Sequence, residues 1–89
     1  MKTKPKGKKP RHPNDTAVTI SRKVASVIHR RRLEKRFTQM DLAKKTGLHR
    51  TYISDVERGY RNISVQTLCA IAAALEVPCS ELIRLAETN

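Results

Sequence analysis

Apolar residues recur along this chain at the three- and four-residue spacing of amphipathic helices. Val24, Val27 and Ile28 share one helical face in the first such segment, and no segment alternates for long at the two-residue spacing of a strand. The pattern predicts an all-α fold with helices at about residues 17–35, 38–45, 50–58, 65–75 and 79–86.

Residues at the ends of these segments support the helix boundaries. Thr38 and Asp41 have the spacing of a capping box, with Asp in place of Glu. Gly47 and Gly59 follow the second and third helices, where a left-handed residue commonly ends a helix. Ser64 is the predicted N-cap of the fourth.

Charge indicates the partner. The 89 residues carry a formal net charge of +11, with a pI of about 10.4, and form one domain at most. A polyanion is therefore expected, and nucleic acid is favoured over an anionic membrane because no long amphipathic helix with Trp or Phe is present. Without a run of transmembrane length or a signal peptide, we expect an intracellular protein.

Residues 1–15 differ in composition from the rest. They hold six lysines and arginines against Asp15, three prolines, and no aliphatic residue after Met1. We predict a disordered basic tail, followed by a folded domain over 16–89 whose first helix is capped by Asp15 or Thr16. The tail could follow phosphates or enter a minor groove, although a solubilising role is the favoured interpretation.

The sequence contains little that indicates catalysis. Cys69 and Cys79 have neither a CxxC spacing nor a histidine nearby, so buried thiols are expected, with a disulfide as the less favoured alternative. There is no P-loop, no catalytic triad and no metal-ligand cluster. We therefore expect no enzyme, no cofactor, no metal and no small-molecule ligand.

One run of residues has a specific resemblance. Between residues 38 and 59 the chain reads Thr38-Gln39-x-x-Leu42-Ala43-x-x-x-Gly47-Leu48-x-x-x-x-Ile53-Ser54-x-x-Glu57-x-Gly59, and the next helix reads Leu68-x-x-Ile71-Ala72-x-Ala74-Leu75-x-Val77. These runs resemble the Cro/C1-type (XRE) helix-turn-helix family, which implies a compact five-helix lambda-repressor-like domain with its helix-turn-helix at about 38–58. Residues 50–54 and 57–62 look most like restriction–modification controller proteins. Arg36 and Glu76 depart from the family, which often has glycine at both places.

The third helix is the predicted recognition helix in a DNA major groove. Arg50 can make a bidentate contact to guanine, and Thr51 can touch a thymine methyl or a base. Asp55 could accept from cytosine or buttress Arg50 or Arg58, and the buttress is favoured. Tyr52 could contact DNA or could pack beside the turn, and the sequence favours neither.

Phosphate contacts are expected from helix starts and loops. The second helix N-terminus and the Gln39 side chain form a predicted anion site. The predicted DNA-binding residues are Gln39, His49, Arg50, Thr51, Tyr52, Ser54, Asp55, Arg58, Tyr60, Arg61 and Asn62.

Two further roles concern structure. The resemblance implies that Arg32 pairs with Glu57 and ties the first helix to the recognition helix. Leu82, Ile83 and Leu85 are the predicted dimer contact, although Leu82 or Leu85 could instead close the core. A dimer would match a pseudo-palindromic site in double-stranded DNA.

The sequence therefore predicts a sequence-specific transcriptional regulator that acts as a homodimer on double-stranded DNA. The most specific hypothesis is a restriction–modification controller that regulates its own promoter, in the cytoplasm of a bacterium or of a phage host, nucleoid-associated, with RNA polymerase as a further candidate partner. The alternatives are an antitoxin or phage-type repressor of the same fold, or a non-specific DNA-bridging protein that acts through its tail.

Overall fold

The computed structural model describes the backbone of residues 14–88 and the side chains from Thr19 onward. This part of the chain contains five helices and no strand, so the all-α prediction is confirmed. The helices are α1 (Asn14–Glu34), α2 (Gln39–Thr46), α3 (Arg50–Glu57), α4 (Val65–Ala74) and α5 (Cys79–Thr88).

All five helices contribute to one apolar core. The long α1 packs against α5 and α3, α2 packs against α3 and α4, and α4 packs against α5. The Met40 side chain is exposed, because it lies two positions before the buried Leu42 and so faces away from the core. The largest fully buried side chains are Val27, Ile28, Leu42, Ile53, Val56, Ile71, Leu75 and Leu82.

The first helix begins earlier than predicted. It starts at Asn14, so Asp15 and Thr16 lie inside the helix and neither caps it. Between Pro13 and Pro78 the sequence has no proline, so no proline interrupts the hydrogen-bond ladder of α1. The rest of the predicted tail, residues 1–13, lies outside the described residues.

The predicted caps around the helix-turn-helix are confirmed. The Thr38 hydroxyl accepts from the Asp41 N–H at 2.9 Å, and the Thr38 N–H donates to the Asp41 carboxylate at 2.8 Å. Gly47 ends α2 at φ 78°, and Gly59 follows α3 at the same angle. Ser64 caps α4 by accepting from the Thr67 N–H at 3.0 Å. These contacts set the lengths and directions of the short helices.

Arg36 and Glu76 take the left-handed conformation that glycine usually adopts, with φ of 62° and 64°. At each place the following N–H donates back across the turn, from Phe37 to Arg32 O and from Val77 to Ala72 O. These are the backbone bonds of a Schellman motif. The two turns lie side by side, since Lys35 Nζ is paired with Glu76 Oε1.

The cysteines are placed differently from the prediction of buried thiols. A disulfide joins Cys69 to Cys79, Cys69 is exposed and Cys79 is half-buried. Cys79 is the first residue of α5, and the turn after α4 brings its Cα to 5.2 Å from that of Cys69, within the usual range for a disulfide. Helical spacing alone did not indicate this contact, because the two residues belong to different helices.

Reduction of the protein tests this bond. The two cysteines are 10 residues apart, and closing a loop of that size corresponds to about 2–3 kcal/mol of unfolding free energy. We expect the unfolding free energy, measured with denaturant, to be lower by about that amount when a thiol reductant is present. The double variant Cys69→Ser/Cys79→Ser should not respond to the reductant.

Thiol titration of unfolded protein purified without reductant is the companion measurement. Absence of a reactive thiol agrees with the bond. Two reactive thiols, together with unfolding that the reductant leaves unchanged, would contradict it.

Candidate nucleic-acid interface

Helix α3 presents one face to the core and the other outward. Ile53 and Val56 are buried, and the half-buried Leu48 anchors the turn that precedes the helix. We call the opposite side the outward face of α3. On it Arg50 and Thr51 are exposed, and Ser54 and Asp55 are half-buried.

The end of α3 is tied to α1 by an ion pair between Arg32 and Glu57. Arg32 Nε and Nη2 donate to the two carboxylate oxygens at 2.6 and 3.0 Å. Arg32 Nη1 also donates to the Phe37 carbonyl in the turn before α2, at 2.7 Å. Both charged side chains are almost fully buried, at 8% and 4% exposed. The structure therefore brings together the two residues that were predicted as a structural pair.

Two more side chains contact the same carboxylate. Gln39 Nε2 donates to Glu57 Oε1 at 3.2 Å, and His29 Nδ1 lies 2.9 Å from that oxygen. We call Arg32, Glu57, Gln39 and His29 the Glu57 cluster. His29 was assigned no role from the sequence. Its position three residues before Arg32, on the same side of α1, is the signal that could have identified it.

The cluster keeps Glu57 ionised. Burial is the largest single influence and raises the pKa of the carboxyl, but the hydrogen bonds from Arg32, His29 and Gln39 together outweigh it. The pKa of Glu57 is consequently lowered from its usual value of 4.5. Glu57 thus acts as a buried anion that accepts hydrogen bonds from two other helices.

The predicted anion site at the start of α2 is partly occupied by the protein itself. The Asp41 carboxylate accepts from Thr38, and the hydrogen bond from the Thr38 backbone N–H is the main reason why the pKa of Asp41 is lowered. Gln39, predicted to bind phosphate, donates one hydrogen bond from its side-chain amide to Glu57. The N–H groups of Gln39 and Met40 remain as first-turn donors for an external anion.

Asp55 pairs with a residue that was not predicted. Its carboxylate lies 3.5 Å from Arg61 Nε, whereas Arg50 or Arg58 was the expected partner. The Arg61 guanidinium also lies 5.0 Å from the centre of the Tyr52 ring. Tyr52 is half-buried and packs against the core. The loop after α3 therefore folds back along the helix, a contact that no spacing within α3 reveals.

Several predicted contact residues are exposed at the two ends of α3. His49 is the N-cap residue, and its side chain forms no cap hydrogen bond. At the other end Arg58 lies 5.6 Å from the centre of the Tyr60 ring, and Asn62 is exposed in the loop. No described residue pairs with the Arg50 side chain. Arg50 is thus available for an external ligand.

A surface depression of about 480 Å³ lies between the outward face of α3 and the Glu57 cluster. Arg50 and Arg58 line it, and the charge of Glu57, which also lines it, is already paired with Arg32. The depression is therefore electropositive, which suits a phosphate. Its lining residues are His29, Gln39, Arg50, Ser54, Glu57 and Arg58.

The predicted dimer residues divide into two groups. Leu82 is fully buried in the core of the protomer together with Ala86, so its prediction as a dimer contact is wrong. The two residues are four apart and share the inward stripe of α5. Ile83 and Leu85 flank that stripe and are half-buried. They are the apolar residues of α5 that remain candidates for a contact with a second copy.

Two other kinds of site are absent from the part of the chain that the structure describes. No group of three or more His, Cys, Asp or Glu side chains is arranged to hold a metal ion. In the same part of the chain, no helix is both long and apolar enough to cross a bilayer.

Comparison with known proteins agrees with this arrangement. A family model described as Helix-turn-helix matches residues 28–82. Control protein C.BamHI of Bacillus amyloliquefaciens is 39% identical over 71 residues, which cover 79% of this chain and 83% of that protein. The immunity repressor protein of Bacillus phage phi105 is 35% identical over 66 residues, and this chain spans 43% of its length.

Solved structures are also similar. The wild-type restriction–modification controller protein C.Esp1396I superimposes with a TM-score of 0.71 and 42% identity, covering 78% of this chain and 88% of that one. The C.Esp1396I tetramer in complex with its natural 35 base-pair operator gives a TM-score of 0.72 at the same identity, covering 78% and 91%.

The Glu57 cluster makes a prediction about stability. Glu57→Gln leaves the buried Arg32 without a counter-charge, so we expect the unfolding free energy at neutral pH to fall by about 3–5 kcal/mol. The carboxylate stabilises the fold above about pH 4.5, and this contribution is lost as the pH falls through the lower pKa of the folded state. The variant should therefore lose less stability than the wild type over the acid range.

Denaturant unfolding at a series of pH values checks both effects. Glu34→Gln is the matched control, because Glu34 pairs with Arg31 on the exposed surface and should contribute little. If Glu57→Gln is as stable as the wild type, or loses stability in acid in parallel with it, the account of the cluster is wrong.

Proposed function

Because the chain belongs to the helix-turn-helix family, we propose that it is a sequence-specific transcriptional regulator of double-stranded DNA. The more specific proposal is a controller of a restriction–modification system that regulates its own promoter. C.BamHI and C.Esp1396I, which are named as control or controller proteins, support this choice. We expect no enzymatic activity, and we expect the protein in the cytoplasm of a bacterium or of a phage host, in association with the nucleoid.

The observation that carries the proposal is the outward face of α3. A major groove admits one α-helix and displays a donor and acceptor pattern that distinguishes the base pairs. Helix α3 has an apolar side held in the core by Ile53 and Val56, and a polar side that faces away from it. An exposed polar helix that is firmly held on its other side is what reading of a groove requires.

Within that face we assign base contacts to the N-terminal residues. The Arg50 guanidinium is unpaired by the described residues and can form two hydrogen bonds to O6 and N7 of guanine. Thr51 lies beside it and is exposed, so it can touch a thymine methyl or a base edge. Ser54 is one turn further along the face. Asp55 and Tyr52 are assigned a supporting role, because both hold Arg61.

Phosphate contacts are assigned to both sides of the helix. Arg58, Tyr60, Arg61 and Asn62 lie at the end of α3 or in the loop after it and are exposed. His49 lies at its beginning. On the α2 side the backbone N–H groups of the first turn are the proposed donors, and Gln39 contributes by holding Glu57. Such contacts position the protein without reading sequence.

A homodimer is proposed because one recognition helix reads only a few base pairs. Two copies related by a two-fold axis would place two α3 helices in successive major grooves, about one helical turn apart. Ile83 and Leu85 are the proposed contact. RNA polymerase remains a candidate partner for activation.

A second function is supported by one finding, the 35% identity to the phi105 immunity repressor. The chain would then be a phage-type repressor that uses the same surface of α3. The proposals of an antitoxin and of a non-specific bridging protein lack such support. Deletion of residues 1–13 tests the bridging function. Only in a bridging protein would this deletion weaken DNA binding more than Arg50→Ala does.

Selection of bound duplexes from a random pool tests the function. We expect the wild type to enrich a pseudo-palindrome with half-sites about 10 base pairs apart. Arg50→Ala should weaken binding to the selected site by about 1–3 kcal/mol and relax the preference at one position of each half-site. Fluorescence anisotropy with labelled duplexes measures the affinity.

Arg50→Lys is the matched variant because it keeps the positive charge and loses the bidentate fork. It should recover part of the general affinity and little of the base preference. A selection that enriches no motif would refute the proposed function. An unchanged motif with Arg50→Ala would refute the role of Arg50 alone.

The dimer is tested by sedimentation equilibrium. We expect the wild type to dimerise, and Ile83→Lys and Leu85→Lys to shift it toward monomer, because each places a charge in an apolar contact. Leu33→Lys is the control, since Leu33 is an exposed leucine of α1. Circular dichroism verifies that each variant is folded. Dimerisation of the folded α5 variants at the wild-type affinity would contradict the assignment of this surface.

A further inference from the structure

His29 is a titratable residue of this surface that the proposed DNA contacts leave unused. It lies in the C-terminal part of α1, and its side chain is 50% exposed. It lines the same depression as Arg50, Ser54 and Arg58. Its ring therefore borders the space in which we place a DNA phosphate.

The contact with Glu57 determines which ring nitrogen carries the proton. Glu57 accepts two hydrogen bonds from Arg32 and is ionised, so its oxygens can only accept. A ring nitrogen 2.9 Å from Oε1 must then donate, which assigns the hydrogen to Nδ1. Arg32 Nη2 is more distant from that nitrogen, at 3.4 Å. In the neutral ring Nε2 consequently has no hydrogen and can only accept.

In the neutral ring Nε2 cannot form a hydrogen bond to a phosphate oxygen, because the nitrogen and the oxygen are both acceptors. Addition of one proton from solvent makes Nε2 a donor and gives the ring a positive charge, while Nδ1 continues to donate to Glu57. A histidine in this position can therefore bind an anion in only one of its two charge states. Binding of a phosphate therefore favours uptake of the proton.

The groups that face His29 make its charge sensitive to a ligand. From α1 it is faced by Arg32, from α2 by the amide of Gln39, and from α3 by Glu57, Arg50 and Arg58. Three guanidinium groups therefore face the ring, and the Glu57 carboxylate is already shared with Arg32. A phosphate in the depression would offset the arginine charges and favour the charged imidazole.

We propose that His29 is a phosphate-binding residue of the protein–DNA complex, and that it binds in its protonated form, so that association takes up one proton at Nε2 in each protomer. This inference rests on the proposed function. Because the bound state holds one more proton per protomer, DNA affinity rises as the pH falls.

Affinity for the selected duplex, measured by anisotropy between about pH 6 and pH 8.5 at fixed ionic strength, is the first test. Because one proton is taken up per protomer, affinity should rise by at most about tenfold per protomer for each unit by which the pH falls. His29→Gln keeps a neutral donor toward Glu57 and should lose the part of the pH dependence that belongs to His29. His29→Lys should retain high affinity at high pH.

His49→Gln removes the other described histidine and serves as the comparison variant. The dependence of its DNA affinity on pH that is due to His29 should remain. Salt titration adds an independent measure. The slope of log affinity against log salt should be steeper at low pH than at high pH by about 0.9 for each protomer, because one more phosphate contact is made. This difference in slope should be absent in His29→Gln.

Assigned NMR titration of the His29 ring, with and without the duplex, separates a direct contact from a structural effect. We expect Nδ1 to be the protonated nitrogen of the neutral ring, and Nε2 to carry a proton in the complex at a pH at which it carries none in the free protein. No uptake of a proton at Nε2 on binding, or a His29→Gln variant with the wild-type pH dependence, would overturn the inference while leaving the regulator intact. Failure of the wild type to bind any duplex at any pH would overturn both.

Discussion

The buried carboxylate of Glu57 is the point on which the arrangement of the first three helices depends. It lies at the end of α3, accepts from Arg32 of α1 and Gln39 of α2, and contacts His29 one turn earlier on α1. A charge removed from water in this way is tolerated only when it is fully paired. The requirement for pairing therefore holds the end of the recognition helix in one position relative to its two neighbours.

The same interaction links fold to function. Burial of Ile53 and Val56 sets the rotation of α3 about its axis, and the Glu57 cluster sets the position of its end. Together they determine where Arg50 and Thr51 point. Arg32 also holds the Phe37 carbonyl in the turn before α2, so the start of α2 and the end of α3 are held by one guanidinium. The proposed phosphate donors and base-reading residues are thereby kept in fixed register.

The sequence predicted what local chemistry determines. Thr38 with Asp41, Gly47, Gly59 and Ser64 are capping signals whose partners lie within a few residues, and the helices they bound are confirmed. Helical spacing likewise identified the buried faces of α3 and α4. The Arg32–Glu57 contact joins residues 25 apart, and its prediction came from family resemblance, since no local rule relates them.

Contacts between elements were where sequence reasoning was incomplete. The Cys69–Cys79 bond, the Asp55–Arg61 pair and the approach of His29 to Glu57 each depend on how a turn directs the following segment. Leu82 shows the same limitation, because apolar spacing places a residue on a helical stripe but does not say whether the stripe faces the core or a partner. Arg36 and Glu76 show that turn geometry can be kept without glycine. Here Lys35, beside one of the two turns, pairs with Glu76 in the other.

The central claim is that α3 reads bases in the major groove. Its most direct test is a scan of the selected duplex with 7-deazaguanine, which removes the N7 acceptor from the major groove and leaves base pairing intact. We predict that affinity falls by about 1–3 kcal/mol when the analogue replaces a guanine at symmetric positions of the two half-sites. If no guanine is sensitive to this change, while inosine, which removes the minor-groove amino group, abolishes binding, the account is contradicted.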